Sequence, residues 1–159
     1  MMNHSSILLV LWIVAIASPA YAQSSRQEEI ARKGTQVMPF DLARTRHFFD
    51  DTPTGGVETV TANDPRDAKQ IALIRAHLQV ESQRFARGDF ADPAAIHGAD
   101  MPGLAALADA GSKLAISYSS IPAGASIRYT SADAAVVRAI HQWFAAQRSD
   151  HDAHAHMHP

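Results

Sequence analysis

The chain has 159 residues, 47 % hydrophobic and 19 % charged, a balance that supports one domain with a modest core. It has no cysteine, which excludes disulfides, thiolate zinc sites and a cysteine nucleophile. A formal net charge of −2 with both signs interspersed leaves no electrostatic footprint for nucleic acid, and no long basic amphipathic stretch points to a membrane surface.

Residues 7–17, ILLVLWIVAIA, form an unbroken apolar run, and Ala20 and Ala22 of the following SPAYA fit a small-x-small cleavage site. This pattern predicts a signal peptide over residues 1–22, cut after Ala22, and export to the periplasm. The absence of Lys or Arg before the run departs from the usual pattern. The run is shorter than the roughly 20 apolar residues of a membrane span, so no stable insertion is expected after the cut.

Residues 23–34 read as a polar arm or short helix, and residues 35–147 as a single domain. Thr45–Asp50 and Val57–Ala62, separated by TPTGG, predict a hairpin. A long helix follows, with Asn63 or Asp64 as cap, Pro65 in its first turn and Gly88 at its end. The stretch DFADPAAIHGADMPGLAALADAG reads as a loop with short helical pieces, the best at Gly103–Asp109. Leu114, Ile116 and Tyr118 alternate on one strand, Ile127 and Tyr129 on its partner, and IPAGA turns between them. A last helix is expected from about Ala132 to Gln147, and residues 148–159 as a flexible histidine-rich tail.

The halves share an order. An offset of 69 residues pairs Pro53 with Pro122, Gly55 with Gly124, Thr61 with Thr130 and Asp64 with Asp133. Two hairpin-plus-helix units follow, and the economical architecture is α+β: a four-stranded antiparallel sheet with helices packed on one face.

On the long helix, at 100° per residue, His77 and Glu81 fall between two apolar sectors and point toward the buried half. A buried charge needs a partner, and Arg84, three residues past Glu81, can supply it. The spacing i, i+4 also presents two donors to one metal. His97 and Met101 share a Gly- and Pro-rich loop, and an imidazole beside a thioether suits copper; the structural alternative is a capping histidine and a core methionine. His47 lies on the first strand, and His141 on the margin of an apolar arc. His151, His154, His156 and His158 close the chain in DHDAHAHMHP, where imidazoles on a mobile segment would collect Cu(II), Ni(II) or Zn(II) with little selectivity. Nucleotide-binding P-loop, G-x-S-x-G, H-E-x-x-H and haem-attachment motifs are missing.

The string MPFDLARTRHFF…QIALIRAHL…RFARGDFADPAAIHGADMPGL, with the later ISYSSIPAGASIRYTSAD and VVRAIHQWFAAQRSDH, resembles a family of small exported bacterial proteins. These commonly carry the label aspartate carbamoyltransferase. That enzyme has a much longer chain in two α/β domains and a Ser-Thr-Arg-Thr phosphate-binding stretch, which LARTRHF lacks. The resemblance covers about residues 30–151 and implies the domain and its boundaries, with no activity attached.

The expectation is a periplasmic metal-binding protein, copper first and zinc or nickel next, in metal handling or tolerance. His47, His77, Glu81, His97 and Met101 would form an inner site and the tail histidines an outer one. A small enzyme with a His77/Glu81 acid–base pair, or a ligand- or partner-binding domain, are the alternatives.

Overall fold

The computed structural model of the chain describes residues 19–151. The apolar run of the expected signal peptide, and His154, His156 and His158, lie outside the described residues. In chain order the elements are α1 (Pro19–Val37), β1 (Thr45–Thr52), β2 (Gly55–Ala62), α2 (Ala68–Phe85), α3 (Ala91–His97), α4 (Leu104–Ala108), β3 (Ala115–Ile121), β4 (Gly124–Thr130) and α5 (Ala134–Asp150). No described helix is long and apolar enough to cross a membrane.

The strands form one antiparallel sheet in the order β1-β2-β4-β3, which is the expected α+β arrangement. Period-2 alternation turns His47, Phe49, Glu58, Val60, Ala125, Ile127 and Tyr129 to the same face. Against it α2 contributes Ile71, Ile74, Leu78 and Phe85, and α5 contributes Ile140, Trp143 and Phe144, all buried.

The two hairpin units interlock. Helix α2, which follows the first hairpin, packs mainly on β3 and β4, whereas α5 packs on β1 and β2. Each helix also holds the other hairpin's turn. Arg75 on α2 donates to the carbonyls of Ile121 (2.6 Å), Pro122 (3.2 Å) and Gly124 (3.1 Å). His141 Nε2 on α5 donates to those of Thr52 (3.0 Å) and Gly55 (2.9 Å).

At the central seam the offset between the halves becomes a local two-fold. Gly55 lies opposite Thr130, Gly124 opposite Thr61, and Glu58 opposite Ile127. A Cβ at Gly55 would sit 2.0 Å from the Tyr129 carbonyl oxygen, and one at Gly124 the same distance from that of Val60. Both first residues of the inner strands must therefore be glycine, because the neighbouring backbone fills the space of a side chain.

Three boundaries differ from expectation. Helix α2 starts after Asp67, whose side chain accepts from the Gln70 amide (3.1 Å). Asp64 instead accepts from the Arg66 amide (2.9 Å), closing a turn that holds Pro65 outside the helix. The loop after Gly88 contains a real helix, α3, entered by Phe90, which stacks on Phe85 at 4.6 Å. Helix α5 runs past Gln147 to Asp150, because both residues are buried and Asp150 is pinned by partners from α1 and α3.

Candidate functional site

Between the sheet, α2, α3, α5 and the segment after α1 lies a cavity of about 50 Å³ open to water centres. By the measure that one water needs roughly 10–15 Å³ of such space, it holds only a few atoms. His47, His77, Glu81, His97 and His151, singled out in the sequence, all line it. They arrive from β1, α2, α3 and the end of α5.

His97 is the most firmly oriented. Its Nδ1 lies 2.9 Å from Asp150 Oδ2, and both residues are 5 % exposed. Arg26 on α1 binds the same carboxylate through Nε (2.6 Å) and Nη2 (2.9 Å), and donates to the His97 carbonyl (3.2 Å). A carboxylate accepts, so Nδ1 carries the proton and Nε2 the lone pair. Burial holds the His97 pKa below its ordinary value, in spite of Asp150, so the ring is a neutral base near pH 7.

His151 stands between two other histidines. Its ring centroid is 5.0 Å from that of His97 and 5.6 Å from that of His47, with the latter pair stacked. Phe40 touches both His47 (5.9 Å) and His77 (5.7 Å). Met38, His47, Phe40 and His151 also line a wider cleft of about 790 Å³ beside α1, so they mark the mouth. Among the described residues, no three histidine, aspartate or glutamate groups are already placed to hold one ion.

No family model, curated protein or solved structure matches the chain. The site therefore has to be read from its own chemistry.

Its other end is acidic and apolar. Glu58 Oε2 accepts from the Tyr129 hydroxyl (2.8 Å), and burial pushes its carboxyl up to about 7. Glu81 reaches about 7 as well, through burial and the nearby Asp92, although Arg84 donates to it (2.9 Å). Arg84 divides its charge among Glu81, Asp89 and Asp92, at 2.9, 2.8 and 2.6 Å. His77 is half-buried, and burial lowers its pKa. Trp143 Nε1 and Gln147 Oε1, one helical turn apart on α5, are buried without a hydrogen-bond partner. Both residues line the cavity. Among the described residues, neither a lysine nor an arginine does.

Two sequence candidates lie elsewhere. Met101 is 5 % exposed in the main core and does not line the cavity, and His141 braces the β1–β2 turn. Met38, Glu58, Trp143, Gln147 and the Arg26–Asp150 clamp are not among the site residues expected from the sequence. For Glu58 a cue existed: it precedes Val60 by two residues, so strand alternation puts it on the apolar face. For the clamp there was none, since Arg26 and Asp150 are 124 residues apart.

Proposed function

We propose that this is an exported, periplasmic metal-binding protein, with copper as its principal ion, acting in metal handling or tolerance. One observation carries the reading: of the five described histidines, four line a single cavity and the fifth braces a turn. The inner site consists of His97, His151 and His47 at the mouth, with Met38 as a thioether beside them.

The donor chemistry supports it. A neutral imidazole whose second nitrogen is bound by a carboxylate is the arrangement found behind metal-ligating histidines, because it orients the ring and raises its basicity. Imidazoles with a thioether favour copper, while zinc and nickel compete for imidazole alone. Among the described residues no lysine or arginine lines the cavity, and Arg26 and Arg84, which reach its residues from outside, are each paired with carboxylates. His154, His156 and His158 are assigned to an outer collecting role.

The test separates the two sites. Asp150 orients His97 and His151 lines the cavity, so the truncation removes residues 152–159 only. Cu(II), Cu(I), Zn(II) and Ni(II) are titrated into metal-free mature protein with and without that segment. The truncated chain is expected to keep one tight copper site, which the pair His97→Ala and His151→Ala removes. Absence of binding above background in the truncated chain would overturn the proposal.

A further inference from the structure

The inner end of the cavity asks for a different ligand from its mouth. Three carboxyl residues, Glu58, Glu81 and Asp92, line it; Arg84 reaches Glu81 and Asp92 from outside the lining, and Glu58 has no cation beside it among the hydrogen bonds described, only the Tyr129 hydroxyl. Gln147, 5 % exposed, brings a carbonyl oxygen that nothing satisfies, and Trp143, 1 % exposed, an unsatisfied indole N–H. An acceptor and a donor left unpaired in an enclosed void are costly, and the cost is relieved by a molecule that carries the complementary groups.

The geometry points to a small primary amine, bound as its ammonium ion among Glu58, Glu81 and Gln147, as the ligand of this inner end. An ammonium has three donors, and three residues here offer acceptor oxygens, two carboxyls and an amide. The Phe85 and Trp143 rings supply the apolar and π surfaces that favour an organic cation. Among the described residues, no three of the carboxyl and imidazole groups stand together as a hard divalent ion, with its six or more oxygens, requires. The whole cavity, mouth included, admits about four heavy atoms at 10–15 Å³ each, so a larger amine is excluded. A hydroxyl on the second carbon would accept from Trp143, one turn from Gln147 on the same helix, so 2-aminoethanol fits better than a plain alkylamine.

Charge and atoms balance without any further reactant. The amine binds as the ammonium ion it already is near neutral pH, so no bond is made or broken, and an ammonium–carboxylate pair results. Two neighbouring carboxyls with one positive charge between them avoid the repulsion that two ionised ones would feel.

The experiment uses the full mature chain, metal removed by chelation, at about pH 7.5. Calorimetry and saturation-transfer NMR follow 2-aminoethanol, propylamine and propan-1-ol. Saturable one-to-one binding of 2-aminoethanol is expected, with propylamine about tenfold weaker for loss of one hydrogen bond and propan-1-ol weaker than either. Glu58→Gln should weaken 2-aminoethanol at least tenfold, while Asp51→Asn, on an exposed strand residue, leaves it unchanged. His97→Ala with His151→Ala should remove copper and spare the amine, so each reading fails separately. Contacts from the ligand methylenes to the Trp143 and Phe85 rings in the unsubstituted protein check the location even if Glu58→Gln unfolds. Equal binding of propan-1-ol, no saturation by about 10 mM 2-aminoethanol, where the binding free energy is under ~3 kcal/mol, or the absence of those ring contacts would overturn the assignment.

Discussion

Glu58 lies directly across the central seam from Ile127, its own counterpart at an offset of 69 residues. Where the second half places an apolar side chain, the first places a carboxyl, and the local two-fold is broken at the wall of the cavity. That exchange has a measurable cost. Burial raises the Glu58 carboxyl from 4.5 to about 7, so the folded chain holds its proton more tightly than the unfolded chain does. The resulting stability is fully present below about pH 4.5 and is lost as pH rises through about 7. Glu58→Gln removes this dependence. The stability of the variant relative to the parent should rise by of order 1–3 kcal/mol between about pH 4.5 and 7.5, read from urea unfolding. His77 and His97, whose pKa values burial lowers, act in the opposite sense but are common to both proteins and cancel in the difference. A flat difference would show that Glu58 is solvated in the folded state.

Asp150→Asn tests the orientation of His97. The amide can still accept from Nδ1 but carries no charge for Arg26 or for the imidazole. Copper affinity of the chain lacking residues 152–159 is expected to fall by about 10–100-fold, the usual loss for a partner standing behind a metal ligand. Unchanged affinity would mean that His97 is not among the ligands.

Met101→Ala separates core from site. A buried methionine cut to alanine costs about 2–5 kcal/mol of stability. Since Met101 does not line the cavity, the folded protein should bind copper as before. A loss of affinity at temperatures well below unfolding would place its thioether in the site after all.

The seam glycines make a paired prediction. Gly55→Ala and Gly124→Ala each drive a Cβ into a backbone carbonyl that cannot swing away, so each should destabilise by more than about 2 kcal/mol. Thermal unfolding of the two variants compares them directly. A near-neutral effect at one would show that the seam can open on that side.

Arg75 and His141 predict local opening. Arg75→Ala and His141→Ala should each cost about 1 kcal/mol and speed amide exchange at the turn of the opposite hairpin, residues 121–124 for the first and 52–55 for the second. Exchange that speeds in the adjacent hairpin instead would contradict the interlocked packing.

What the sequence determined by itself was local or periodic. The turn residues TPTGG and IPAGA, the alternation at Ile116–Tyr118 and Ile127–Tyr129, and the repeated order of turn, strand and helix specify two hairpins and two long helices. The helical angle of His77 and Glu81 likewise turned them toward the buried half, and both line the cavity. The tertiary structure alone decided which side chains meet there. The helices exchange hairpins, α5 extends to Asp150, and Arg26 reaches across from α1 to orient His97. Met38 stands at the mouth while Met101 packs in the core, though both flank short segments rich in proline or glycine. No period along the chain encodes such pairings, because they depend on how separate amphipathic faces share one interior, and that is settled by packing over the whole domain.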